Sequence, residues 1–334
     1  MNNIYPANSI ILAPLSGYTD LPYRNSARRF GCGFCFTEMI DAGSLAYGNS
    51  KTTRLVDRGP GEEWLGVQLV GSDHGRIKLA VEILNEHDFD VLDFNLGCPV
   101  PKVAKKGAGA VLGQNIDEAL RCFDIIKKKS RHRLCAKIRI LDENDPEPTL
   151  KLAKGLADAG AEALTVHGRI RSRFYSGPVN FEMIAAVRAA LDIQVIANGG
   201  VTGAASYTEI REKTACDIVM LARGAMGNPW LFRELADPEN YLPPTPGELA
   251  DELERHIREM IDYYGEALGL RVARKIILDY LRGRGFPGKV KNAVSFLNKT
   301  EDFAEFMELV REGPSGRYRQ WLKTCPEADR RLEI

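Results

Sequence analysis

Short apolar runs punctuate the first two thirds of the chain, and few of them alternate with polar residues. They are IILAPL (10–15), FCFTEM (34–39), WLGVQLV (64–70), VLDFNL (91–96), LCAKIRI (134–140), ALTVHG (163–168), QVIANGG (194–200) and IVMLARG (218–224). Between most of them lie stretches such as GRIKLAVEILNEH and NIDEALRCFDIIKKK, whose apolar residues recur at the three- and four-residue spacing of a helix. Non-alternating strands separated by helices predict a parallel sheet covered on both faces. Eight such units in roughly 235 residues fit a (β/α)8 TIM barrel better than a doubly wound sheet.

The texture changes after Leu235. ADPENYLPPTPGEL carries Pro238, Pro243, Pro244 and Pro246, which suit a connector. Beyond it, segments such as ELADELERHIREMIDYYGEAL are helical in pattern, with no strand candidate. The expected organisation is a barrel domain over 1–236, a Pro-rich linker over 237–245 and a small all-α domain over 246–334. Hydrophobic residues at 44% and charged residues at 27% suit a water-soluble globule. Lys+Arg and Asp+Glu are both 45, so any affinity for nucleic acid has to come from local clustering of charge. No apolar run approaches the roughly 20 residues of a membrane helix. The start, MNNIYPANSI, lacks the charged-then-apolar layout of a secretory signal. Seven cysteines, an odd number, then read as thiols in a reducing cytoplasm, and no obligate protein partner is indicated.

Most of the apolar strands carry one polar residue late in the run: Gln68, Asn95, Lys137, His167, Asn198 and Arg223. Each needs a partner, because burying an unpaired amide or charge costs several kcal/mol. In a (β/α)8 barrel these strand ends converge on one mouth, so a ligand site explains the set more economically than separate core hydrogen bonds. NGG (198–200) and ARG (222–224) close the seventh and eighth runs, where glycine-rich loops expose backbone N–H groups to a phosphate. A phosphorylated cofactor is implied, with FMN the natural candidate. GAGAVLG (107–113) is not a dinucleotide-binding fingerprint, because its third glycine is misplaced and no strand directly precedes it.

Cys98 follows the fourth run, just past Asn95, on a corner stiffened by Pro99. A thiol with an ordinary pKa of about 8.5 is mostly protonated at neutral pH and can donate a proton. Lys102, Lys105 and Lys106 follow it, and could attract an anionic substrate or ease thiolate formation. The other reading is a packing residue beside a solvated loop. CGFC (32–35) has no second ligand pair for zinc and enters a strand rather than opening a helix, so it reads as structural. Cys122, Cys135, Cys216 and Cys325 have no comparable setting, and no metal is expected. From 271 to 299 eight basic residues, Arg271, Arg274, Lys275, Arg282, Arg284, Lys289, Lys291 and Lys299, face only Asp279, which favours an RNA-binding surface over a solvated helix face.

APLSGYTDLPYR, DFNLGCPVPKVAKKGAGA, AKIRI, VHGRIRSRFYSG, VIANGG and LARGAMGNPWLF together closely resemble, in order, the tRNA-dihydrouridine synthases. RVARKIILDYL in the tail is similar, more loosely, to that family's RNA-binding domain. The resemblance implies bound FMN, NADPH or NADH as reductant, and reduction of uridine to dihydrouridine in tRNA. Hydride would pass from flavin N5 to uracil C6, and Cys98 would protonate C5. By the same resemblance, Pro14, Leu15 and Ser16 line the flavin, while Gln68 and Lys137 hold its pyrimidine edge. His167, Asn198, Gly199, Gly200, Ala222, Arg223 and Gly224 lie along its ribityl phosphate. Asn95, Arg139 and Tyr175 would read the uracil, and Lys102, Lys105, Lys106, Arg271, Arg274, Lys275 and Lys289 the RNA backbone. Gly200, Ile170 and Ile276 depart from residues common in the family, Asp, Thr and His respectively. Two other functions stay open from the residues: a flavin enzyme of a free pyrimidine or dihydroorotate, and an RNA-binding protein whose barrel chemistry has lapsed.

Overall fold

A computed structural model describes residues 3–324. Positions 325–334 of the helical tail, Cys325 among them, lie outside the described residues. Eight parallel strands close in sequence order: β1 Ile10–Leu12, β2 Phe34–Asp41, β3 Leu65–Val70, β4 Val91–Leu96, β5 Arg133–Arg139, β6 Ala163–His167, β7 Gln194–Asn198 and β8 Ile218–Leu221. Every residue of β3, β4, β6 and β8 is buried, as expected of strands covered on both faces. The expected (β/α)8 barrel is therefore observed, with helices between its strands.

Several strands end earlier than their apolar runs. β1 stops at Leu12, before Pro14, which has no N–H to pair. β7 stops at Asn198 because Gly199 turns to φ +124. β8 stops at Leu221, so Arg223 is not a late strand residue. It is exposed, in the 3₁₀ turn Arg223–Ala225.

Side chains alternate between the faces of a strand, so the interior can be followed residue by residue. Its apolar part contains Ile11, Phe36, Val91, Cys135, Ala163, Ile196, Ile218 and Met220, with Tyr5 packed among them. Gly66 leaves room for Phe36, since a Cβ there would stand 2.4 Å from that ring. Gln194, at the start of β7, ties down the early segment: its Oε1 accepts the backbone N–H groups of Ile4 (2.8 Å) and Tyr5 (3.1 Å), and its Nε2 donates to the Tyr5 carbonyl (2.7 Å).

Two compact units divide the chain, one formed by residues up to 20 with 32–222, the other by 21–31 with 223 onward. In the second, helix Leu21–Arg29 packs on helix Pro246–Tyr264. Ser26 Oγ donates to Glu252 (2.7 Å), and the Arg29 guanidinium binds Glu252 and Glu259 (2.7 Å each). Thr245 and Glu248 cap Pro246–Tyr264 reciprocally, with Pro246 in its first turn. Helices Leu231–Ala236, Glu266–Leu281, Gly288–Ala293, Thr300–Arg311 and Gly316–Thr324 also belong to this unit. Among the described residues no helix is long and apolar enough to cross a membrane.

Candidate active site

Toward the strands' C-terminal ends the barrel interior turns from apolar to polar on one continuous face. Val91 leads to Asp93 and Asn95, Cys135 to Lys137 and Arg139, Ala163 to Thr165 and His167, and Ile196 to Asn198. Strand register sets Gln68 beside Asp93, Asn95 beside Lys137, Arg139 beside His167, and His167 beside Asn198.

These side chains bond to one another in two groups. Gln68 Nε2 donates to Asp93 Oδ2 (2.6 Å), and Asn95 Nδ2 donates to Gln68 Oε1 (2.7 Å). Asn95 Oδ1 accepts the backbone N–H groups of Gly97 (3.1 Å) and Cys98 (2.9 Å). Lys137 Nζ donates to Asn198 Oδ1 (2.9 Å), whose orientation is set by Nδ2 donating to the Met220 carbonyl (2.8 Å). Arg139 Nε donates to the Gly97 carbonyl (2.7 Å), and its guanidinium lies 5.5 Å from the centre of the half-exposed Tyr175 ring. Arg169 reaches His167 Nε2 (3.2 Å) and donates through Nε to the Gly177 carbonyl (3.0 Å).

Electrostatics follow from burial. Lys137 is pushed down to about 8, chiefly by desolvation and then by Arg139, with Asp93 and Cys98 opposing. Asp93 is pushed up to about 7 by desolvation, against the Gln68 hydrogen bond and the Lys137 charge. Cys98 is half-buried, and burial raises its thiol above the ordinary value, while the Val100 backbone, Arg139 and Lys137 pull the other way. Arg139 and Lys137 are thus the cations that act on the sulfur, not the lysines next to it in sequence. Lys102 and Lys105 are exposed, and Lys106 pairs with Asp41 (2.8 Å). The corner closes on itself: Ala110 N–H donates to the Cys98 carbonyl (3.0 Å). At Gly109, with φ +63, a Cβ would stand 2.7 Å from that oxygen. That contact accounts for a glycine in the KKGAGA stretch.

Pro14, Leu15 and Ser16 follow β1, Leu15 and Ala222 pack on the apolar interior, and the Gly17 N–H is held by Glu38. Gly199 and the exposed Gly200 (φ +80) form a bare backbone turn after Asn198. A Cβ on Gly199 would stand 2.9 Å from His167 Cδ2. Arg223 and Gly224 group with the helical unit.

In that unit Arg271 and Lys289 are exposed, with Lys289 3.4 Å from Glu312, while Arg274 and Lys275 are half-buried. Arg274 donates to the Leu297 carbonyl (2.9 Å) and Asn298 Oδ1 (3.0 Å). Arg284 is fully buried and donates to the carbonyls of Tyr280 (2.6 Å) and Gly227 (2.9 Å) and to Asn228 Oδ1 (2.9 Å). The eight cations of 271–299 therefore do not form one free surface, because Arg284 spends its charge inside the fold. Cys32 and Cys35 are a buried pair with Sγ atoms 3.5 Å apart.

Asp93, Glu38 and Arg169 were not singled out from the sequence. Asp93 had a signal, since it lies two residues before Asn95 and so shares its face. Glu38 lies late in β2, within the apolar run FCFTEM, and so carried the same signal as the other strand-end residues, whereas Arg169 follows β6, where strand periodicity reports nothing.

A closed parallel barrel with amides, a lysine and a thiol at its C-terminal mouth is a (β/α)8-barrel enzyme, the architecture whose active sites lie there. Dihydrouridine synthase is the family that matches, over residues 11–312. The tRNA-dihydrouridine synthase B of Pasteurella multocida is 34% identical over 280 residues, covering 83% of this chain and 84% of that protein. A probable tRNA-dihydrouridine synthase of Rhodobacter capsulatus is 31% identical over 321 residues, 92% of this chain and 95% of that one. The chain belongs to the dihydrouridine synthase family. Among solved structures, 6-hydroxypseudooxynicotine amine oxidase from Pseudomonas geniculata shares the fold, with a TM-score of 0.51 and 12% identity over 70% of this chain and 47% of that one.

Proposed function

We propose that the protein reduces the C5–C6 double bond of uridine in tRNA to dihydrouridine, using FMN bound in the barrel mouth and NADPH or NADH as reductant. The observation that carries this reading is the half-buried Cys98 thiol at the end of β4, with its backbone N–H received by Asn95. Burial keeps that thiol protonated at neutral pH, the form a proton donor needs.

The residues present suit FMN. Gly199 and Gly200 offer backbone that a side chain would obstruct, and Lys137 carries three ammonium protons, of which Asn198 takes one. Gln68 and Lys137 would hold the pyrimidine edge of the ring, with Pro14, Leu15 and Ser16 against it. His167, Asn198, Gly199, Gly200 and Ala222 would follow the ribityl phosphate. When bound, the flavin supplies the hydride that adds to uracil C6.

The protein's own part is orientation and the proton. Asn95, Arg139 and Tyr175 would position the base, and the Cys98 S–H would deliver its proton to C5, leaving a thiolate that Arg139 and Lys137 stabilise electrostatically. A base in folded RNA has to be extruded to reach a recessed site. Exposed Lys102 and Lys105 on the barrel and exposed Arg271 and Lys289 on the helical unit would contact phosphates, with Lys275 one helical turn on from Arg271. Lys106 and Arg274 would do so only by leaving Asp41 and Asn298.

The test is protein loaded with FMN, given NADPH and unmodified tRNA transcript, with dihydrouridine counted by mass spectrometry. Wild type should convert tRNA and leave free uracil untouched. Cys98→Ala should stay yellow yet lose roughly two orders of magnitude in rate. Full activity in that variant removes the proton-donor role, and preference for free uracil removes the tRNA reading.

A further inference from the structure

The hydrogen bonds on the polar face can be assigned a direction. A backbone N–H only donates, so Asn95 must point Oδ1 at Gly97 and Cys98. Its Nδ2 then faces Gln68, which must offer Oε1. Gln68 is left with its Nε2 toward Asp93, a side chain that accepts. All the donors point one way, from the Cys98 backbone to a terminal carboxyl oxygen, and Gln68, Asp93 and Asn95 are all buried. Without that acceptor Gln68 can turn over, and its amino group would then meet the amino group of Asn95. Asn95 would be driven from the Cys98 backbone.

We infer that Asp93 is a positioning residue: by anchoring this file of amides it sets the placement of the Cys98 corner. The inference deepens the proposed function and rests on it for its catalytic meaning, though not for its geometry. Asp93 acts here as an acceptor rather than as a charge, so an amide oxygen in its place can do the same work. A role in supporting the Lys137 ammonium would instead require the negative charge.

Alkylation of Cys98 by iodoacetamide, followed by peptide-resolved mass spectrometry on protein carrying its flavin, separates these roles. Cys32, Cys35, Cys122, Cys135 and Cys216 are buried and serve as internal controls. Asp93→Leu should raise the Cys98 alkylation rate by ~5-fold or more, the effect of one lost buried hydrogen bond. Asp93→Asn should restore a rate within about twofold of wild type, because its Oδ1 can accept from Gln68. In single turnovers with tRNA, Asp93→Leu should slow the step after flavin reduction by a larger factor than it slows flavin reduction by NADPH.

Equal alkylation of wild type and Asp93→Leu overturns the inference, as does an Asp93→Asn variant as reactive as Asp93→Leu. Should Asp93→Leu fail to fold, Asp93→Ala removes the same acceptor without adding bulk and has to give the same gain in reactivity. A wild-type protein that forms no dihydrouridine sinks the functional reading and leaves the alkylation contrast standing, so the two failures are distinguishable.

Discussion

Asp93 is buried in the barrel and Lys137 half-buried, and each is displaced toward its neutral form. An Asp in the unfolded chain ionises near pH 4, whereas folded Asp93 keeps its proton up to about 7. Across that window the folded state binds more protons, so stability falls as pH rises. Asp93→Asn removes the dependence, and its stability relative to wild type should grow by on the order of 3 kcal/mol between pH 4 and pH 7 in urea melts. A difference that stays flat means Asp93 ionises normally. Lys137 has the opposite sign: between about 8 and its ordinary value near 10.5 the unfolded chain holds more protons, and stability rises with pH. Gln68, Asn95, Lys137, His167 and Asn198 were legible because each is a polar residue late in an apolar strand. Asp93 was harder to see because it lies mid-strand, where period two alone marks it. Arg223 was misplaced because the run IVMLARG reads as one strand, although the chain turns after Leu221.

At the scale of elements, β-strands without alternation gave away the parallel sheet, while their ends were set by turns that apolar runs do not encode. The turn after β7 is the clearest case. Gly199→Ala would force a Cβ to 2.9 Å from the His167 ring at φ +124, costing ~1–3 kcal/mol. Its melting temperature should drop and its flavin should dissociate more readily, both read by absorbance during heating. In the helical unit, Gly269 lets helix Glu266–Leu281 approach helix Pro246–Tyr264, with a would-be Cβ only 2.8 Å from the Met260 carbonyl. Gly269→Val should destabilise the protein by about 2 kcal/mol or more, because backbone on the facing helix cannot move aside like a side chain. The prolines before helix Pro246–Tyr264 were visible in the sequence, but the union of Leu21–Arg29 with the later helices was not. It depends on Ser26 and Arg29 reaching Glu252 across more than 220 positions of sequence.

For the whole molecule, a net charge of zero conceals charges with different tasks. Arg284 and Arg271 come from the same basic stretch, yet one is buried in hydrogen bonds and the other exposed. Arg284→Met should cost about 2–4 kcal/mol by stranding the carbonyls it satisfies. Arg271→Ala should leave stability within about 0.5 kcal/mol and lower the salt dependence of tRNA binding by about one unit of slope. Equal effects of both variants on stability would contradict the assignment. Counting charges along the chain could not make this distinction, because burial is decided by tertiary packing. The tie between Gln194 and residues 4 and 5 spans about 190 positions and carries a consequence for biosynthesis. A ribosome releases Ile4 and Tyr5 long before their anchor exists, so these apolar residues wait unsecured until β7 has been made. The barrel's floor is laid by its earliest residues and locked by some of its last.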